Sequence, residues 1–301
     1  MSKADSVKAR LRHVAVKNKK PFDYILTHYF IERLLYRLSI SPYAQHFVLK
    51  GGLLLQVVFA RQARATRDID LLAVQTSNQP DNLRHIFVEI CGIPSDDGIV
   101  FDADSIQIAS ITPGADYQGV SVSLDVYLDR TRGRIHVDIG FGDIVIPQAS
   151  NMVYPSMLAA DEIKIRVYSL ESVIAEKFQA MVDLAFANSR MKDFYDIAML
   201  ASHHNFDGSV LQKAIAETFA RRSTKMQDTP AVFMDAFLQD PDKQVQWQAF
   251  TRRTHIEYAS FSDTMRLIRE FLEPLYNAQK KGAQWNGEWE HRKRIWQNEG
   301  T

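Results

Sequence analysis

The sequence predicts an α+β fold followed by a helical domain. Strand-like segments with period-two alternation fill much of the stretch between residues 47 and 147, whereas helical periodicity dominates residues 156 to 275. A charge asymmetry follows the same division. Between Thr66 and Asp143 there are 13 acids and five bases, although the whole chain of 301 residues balances 36 Lys and Arg against 36 Asp and Glu. We place the domains at 1–155, an α+β domain with N-terminal helices, and 156–301, a helical domain.

The first twenty residues carry Lys3, Lys8, Arg10, Arg12, Lys17, Lys19 and Lys20 against Asp5 alone, either a solvated helix face or a contact for phosphates. Ile25, Tyr29, Leu34, Leu35 and Leu38 recur at helical spacing behind Pro21, and Ser41-Pro42 ends that helix. Val48 and Leu49 read as a short strand, Gly51-Gly52 as punctuation, and Leu53 to Phe59 as a buried helix. Asp68 and Asp70 alternate with Ile69 and Leu71, as on a strand with both carboxylates on one face. Residues 83 to 91 read as a helix. SIQIASI, GVSVSLDVYL and RIHVDIGF read as strands, with GDIVI completing the last. In the second half, SLESVIAEKFQAMVDLAF begins at Ser169 or Ser172, and Glu171 in its first turn suits the helix dipole. KDFYDIAMLASHH and MRLIREFLEPL follow as helices, with Pro230, Pro241 and Pro274 as punctuation. The polar, Trp-rich end from Lys280 has no clear periodicity.

Composition removes several function classes. A neutral chain with pI near 7.1 is not a strongly basic nucleic-acid coat, although a local basic patch stays available. Cys91 is the sole cysteine, which excludes an intramolecular disulfide framework and a CxxC metal site and suits a buried small hydrophobe. No run of 18 uncharged apolar residues and no signal sequence is present, so a cytoplasmic protein without membrane contact is expected. The nine histidines fall in no zinc-enzyme spacing, and GxSxG, Walker A and GxGxxG patterns are absent.

One ordered set of residues carries chemistry. Gly51-Gly52 precedes a helix, and Asp68-Ile69-Asp70 follows after fifteen residues. Paired carboxylates repel, and a divalent cation relieves that repulsion; Mg²⁺ takes one or two carboxylates and fills its shell with water and phosphate oxygens. The glycines let backbone approach a triphosphate at the N-terminus of a helix. A third carboxylate on a neighbouring strand would complete a metal site able to order attacking and leaving oxygens in line. Asp138 is the best candidate for it and Asp125 the second. Lys50, Arg64 and Arg67 are candidate phosphate contacts, as is Arg61.

KGGLLLQVVFARQARATRDIDLLA resembles the first motif of the AbiEii/AbiGii (MenT-like) toxin group of nucleotidyltransferases, in the DNA polymerase β-like superfamily. The resemblance continues through VDIGFGDIVIP, SLESVIAEKFQAM, NSRMKDFYDIAML, DGSVLQKAIAETFARRST and DPDKQVQWQAF, over about residues 45 to 255. It implies a mixed sheet flanked by helices, with Asp68 and Asp70 on Mg²⁺ or Mn²⁺, joined by Asp138 or else Asp125, and an NTP as substrate. It makes Lys177 the phosphate-contacting or catalytic lysine, and Arg190, Lys192, Asp193 and Asp196 the polar positions of R-x-K-D-x-x-D, with Asp196 the preferred essential acid. Gly-Gly replaces the Gly-Ser common elsewhere in the superfamily, so backbone N–H groups must do what that hydroxyl does. A toxin of a toxin–antitoxin or phage-defence pair is implied, with a cognate antitoxin and the 3′ end of tRNA, or another RNA, as acceptor. Arg221-Arg222, Arg252-Arg253, Lys280-Lys281 and Arg292-Lys293-Arg294, interleaved with four tryptophans, make the helical half the expected acceptor side. Rival readings are transfer to a small molecule such as an antibiotic, and a non-catalytic nucleotide-binding module.

Overall fold

In the computed structural model, which describes residues 2–60, 63–111, 119–158 and 161–298, the chain divides into two compact units. The first takes the chain to Gly142 and again over Ser150–Val167. The second takes Asp143–Ala149 and the described chain from Tyr168 onward. Arg61 and Asp116, counted above, lie outside the described residues.

The first unit opens with α1 (Lys3–Asn18), whose start is fixed by a reciprocal capping box: Ser2 Oγ accepts from the Asp5 N–H and the Asp5 carboxylate accepts from the Ser2 N–H. Val7, Leu11 and Ala15 form its buried stripe. Three of the seven N-terminal cations are consumed within this unit. Lys3 pairs with Asp96, Lys8 with Asp129 at 3.3 Å, and Arg10 donates to the Leu158 carbonyl. The basic run is therefore in good part a structural helix face.

α2 (Phe22–Ile40) is buried on most sides, and it takes two arginines inside with it. Arg33 Nε and Arg37 Nη1 both donate to Asp97 Oδ2 at 2.7 Å. Burial alone would raise the Asp97 carboxyl, but the Arg37 and Arg33 guanidiniums and the Ile99 N–H hold it below the ordinary range. His28, on the same helix, is 7% exposed and is pushed by burial down to about 4 from an ordinary 6.5. The neutral ring is thus the form that folds. At pH above 6.5 folded and unfolded chains both carry it neutral and its contribution is complete. As pH falls below 6.5 the unfolded chain takes the proton first, and on the order of 3 kcal/mol drains away down to about pH 4. Thermal midpoints should fall through that window, and His28→Phe should flatten the fall. An unaltered pH profile in the variant would remove His28 from the account.

Next come β1 (Phe47–Lys50), α3 (Gly51–Phe59), β2 (Ile69–Ala73), α4 (Pro80–Gly92), β3 (Ile99–Ser110), β4 (Val120–Leu128), β5 (Thr131–Phe141), β6 (Ser150–Tyr154) and β7 (Ile163–Val167). Among the described residues they build one seven-stranded mixed sheet, in the order β3-β4-β5-β2-β1-β7-β6. β2 is parallel to β5 and β1 to β7, while the remaining neighbours are antiparallel. Phe47, Val48, Leu49, Val137 and Ile139 are fully buried at its centre. Two expectations are corrected here. Strand β2 begins at Ile69, so it holds Asp70 but not Asp68. Pairing with β1 stops at Lys50–Asp70, where β1 turns into α3, and pairing with β5 stops at Ile69–Val137. GDIVI does not complete β5: the strand ends at Phe141, Gly142 adopts φ +78°, and the chain passes into the second unit.

The second unit is helical, as its periodicity predicts: α5 (Leu170–Leu184), α6 (Met191–His203), α7 (Gly208–Arg221), α8 (Asp235–Leu238), α9 (Pro241–Thr254) and α10 (Phe261–Lys280). Ser169, not Ser172, caps α5 by accepting the Ser172 N–H at 3.2 Å. Pro274 does not punctuate. α10 runs through it, because Phe271, Leu272, Leu275 and Tyr276 are buried on both sides of the proline and hold the helix in place. The polar C-terminal stretch is ordered as β9 (Gly287–Glu290) and β10 (Ile295–Asn298), which join β8 (Phe206–Asp207) in a small sheet. Trp289 is fully buried there, donating from Nε1 to the Ala201 carbonyl at 2.7 Å, and Trp296 stacks on Phe271. Among the described residues, no helix is long and apolar enough to cross a membrane.

Candidate active site

In the first unit the site is built by strand register. Lys50 of β1 pairs with Asp70 of β2, Asp70 with Asp138 of β5, and Asp138 with Ser121 of β4. Residues in register across a sheet share a face, with neighbouring strands about 4.8 Å apart. Lys50, Asp70, Asp138 and Ser121 thus form one transverse row, and all four are half-buried. Ser121 escaped sequence reasoning, since nothing local in GVSVSLDV distinguishes it from Ser123. Only the pairing of β4 with β5 does so.

Gly51 closes the row at its helix end. It adopts φ +67°, which L side chains rarely take, and a Cβ there would lie 1.9 Å from Asp70 Oδ2. Gly52 is less tightly constrained: a Cβ there would meet the Thr66 Cβ at 2.9 Å. The glycine pair therefore does two separate things: Gly51 admits the Asp70 carboxylate, and Gly52 admits the chain returning to β2. Backbone at the start of α3 can then approach an anionic group beside that carboxylate.

The two candidates for a partner carboxylate separate cleanly. Asp138 stands beside Asp70 in register. Asp125 lies four residues further along β4 from Ser121 and is held by Arg132 at 2.6 Å and Arg134 at 3.1 Å. The Arg132 hydrogen bond, opposed by burial and helped by both guanidinium charges, keeps its carboxyl below the ordinary range. Asp125 is a structural ion-pair residue. Asp68, exposed ahead of β2, is not gathered into a preformed cluster: among the described residues, no three His, Cys, Asp or Glu side chains are placed to hold a metal ion. The donor set nonetheless fits a hard cation that asks for one or two carboxylates and takes its other oxygens from water and phosphate. Of the arginine loop, Arg67 reaches Asp23 of α2 at 3.0 Å with both partners exposed, and the Arg64 carbonyl accepts from Gln56.

In the second unit Lys177 of α5 meets the motif of α6. Its Nζ lies 2.6 Å from Asp193 Oδ1 and 2.9 Å from Asp196 Oδ2, and all three side chains are nearly buried. Three residues separate the two aspartates, so they share one face of α6, and that face is turned to the lysine. Asp193 is thus more than a residue of the helix start. Ahead of α6, the buried Lys243 donates to the Phe186 and Asn188 carbonyls at 2.7 Å each, and Asn188 Oδ1 accepts the Arg190 N–H at 2.8 Å. These bonds fix where α6 begins and so where its aspartates stand. Lys243 was not foreseen, because its partners are more than fifty residues away. Arg222, expected on an RNA-facing surface, instead pairs with Asp143 and Glu176. Trp247 and Trp289 are core residues, not stacking platforms.

A glycine pair that opens a helix against a strand carboxylate, with a second carboxylate in register beside it, is the arrangement of a nucleotidyltransferase. The family model described as nucleotidyl transferase AbiEii toxin, type IV toxin–antitoxin system, matches residues 33–266, and the chain belongs to that family. Two solved structures show a more distant likeness. JHP933 from Helicobacter pylori is 15% identical and covers 86% of this chain and 97% of its own, with a TM-score of 0.42. An H. pylori protein described as a nucleotidyltransferase is 17% identical over 84% of this chain and 97% of that one, with a TM-score of 0.41. No curated protein matches the chain.

Proposed function

We propose that this nucleotidyltransferase toxin transfers a nucleoside monophosphate from an NTP to a hydroxyl at the 3′ end of tRNA, with Mg²⁺ as its metal. The observation that carries this reading is the register of Asp70 with Asp138 beside the Gly51 backbone. Asp70 and Asp138 would hold the metal, with Asp68, exposed at the entry to the strand, as a further carboxylate for it. A divalent cation, when bound there, neutralises phosphate charge and acidifies the acceptor hydroxyl. Asp138 receives the proton of that hydroxyl. The acceptor oxygen forms a bond to the α-phosphorus as the bond to the α–β bridging oxygen breaks, and pyrophosphate leaves with that electron pair. N–H groups at Gly51 and Gly52 and the cations Lys50, Arg64 and Arg67 steady the triphosphate. In the second unit Asp193 and Asp196 orient the Lys177 ammonium, the charge that the family resemblance assigns to phosphates. Family membership supports an antitoxin as the second partner.

The test is incubation of the purified chain with bulk tRNA and each α-labelled NTP in turn, with and without EDTA. Label should enter RNA from at least one NTP, at its 3′ end, and only when divalent metal is free. Label in a small-molecule acceptor and none in RNA would overturn the acceptor assignment.

A further inference from the structure

In the second unit an open groove of about 510 Å³ runs between the start of α6 and one face of α9. Gln246, Ala249, Phe250 and Arg253 line it from α9 at the spacing of a single helix face, and Ser189, Arg190 and Lys192 line it from the start of α6. Three of these residues are cations, and no carboxylate lines the groove. Among the described residues none of the three cations has an ion-pair partner, while the neighbouring Asp193 is committed to Lys177. Lys192 precedes Asp193 by one position, about 100° around the helix axis, so the motif sends its carboxylate and its lysine to different places. The α6 start adds the positive end of a helix dipole, and Arg190 at its N-cap makes no side-chain capping bond.

Three uncompensated guanidinium and ammonium groups around one open groove attract phosphate. We infer that this groove grips the backbone phosphates of the acceptor RNA, through Arg190, Lys192 and Arg253. A triphosphate is the poorer occupant. It travels with a divalent cation, and a groove without a single carboxylate offers that cation no ligand. A phosphodiester backbone needs only the three positive charges. The assignment rests on the RNA-acceptor reading above, but it concerns binding and is measured without catalysis.

The measurement is anisotropy of labelled bulk tRNA with the full-length chain and its Arg253→Ala, Arg253→Lys and Arg190→Ala variants over a range of salt. In parallel, a fluorescent NTP analogue is titrated with Mg²⁺ present. Arg253→Ala should weaken RNA binding about tenfold at low salt and lower the slope of log K against log salt by about 0.7–0.9, while Arg253→Lys keeps the slope. NTP binding should be unchanged. RNA affinity and slope equal to wild type, or an NTP affinity that falls while RNA affinity holds, would overturn the assignment, as would a wild-type chain that binds no RNA. Groove-dependent RNA binding without any transfer of label would leave this inference standing and remove the transferase reading instead.

Discussion

Asp70→Asn should abolish nucleotidyl transfer, by a factor on the order of 10³ or more, and leave the fold in place. The substitution is nearly isosteric. It removes the charge that a cation needs while keeping a side chain of the same size against Gly51, so the thermal midpoint should move little. A loss of 10³ corresponds to about 4 kcal/mol of transition-state stabilisation, the scale of a charge acting directly on the reacting phosphate. Gly51→Ala should reach the same outcome from the other side. Its Cβ would overlap the Asp70 carboxylate at 1.9 Å from Oδ2, and its φ of +67° adds roughly 1–2 kcal/mol of backbone strain. Both changes act on one carboxylate, so the double variant should be no worse in transfer than Asp70→Asn alone. In cells, Asp70→Asn should remove any growth arrest. A variant that still labels RNA at the wild-type rate would dismiss the paired-carboxylate account.

The second large effect belongs to Lys177 and its two aspartates. One ammonium sits between two nearly buried carboxylates. Lys177→Met strands two carboxylates together out of water, so it should cost about 3–5 kcal/mol of stability in addition to activity. A loss of transfer in that variant would therefore be ambiguous. Asp196→Asn is not. It is nearly isosteric and leaves Lys177 its contact with Asp193, so the midpoint should hold within a few degrees while transfer falls by on the order of 10². Lys177→Arg should not rescue, because a planar guanidinium cannot place one nitrogen at 2.6 and 2.9 Å from two separate carboxylates as an ammonium does. The readouts are kcat with a labelled NTP and the thermal midpoint of the same preparations. Full activity in Asp196→Asn would confine this trio to holding α5 against α6.

Much of this site is legible one segment at a time. The glycine pair, Asp70 on a strand and the R-x-K-D-x-x-D helix are local patterns, and the structure keeps them as a helix start, a strand position and one helix face. Asp68 is a partial failure of the same reasoning: alternation places it on the strand, but the ladders to β1 and β5 begin only at Asp70 and Ile69. The charge patches misled for a related reason. Arg222 looks solvent-facing in sequence, yet it meets Asp143, about eighty residues upstream.

Local patterns in the chain mark out where strands give way to helices and where the glycine pair opens a helix. Those properties arise from backbone preference and hydrophobic period, which act over a few residues. That Asp138 and not Asp125 lies beside Asp70, that Ser121 joins their row, and that Lys243 bonds the turn before α6 emerges only when the chain is folded. Each of these depends on strand register or on a contact between distant segments, and such pairings are chosen by the closure of the whole core.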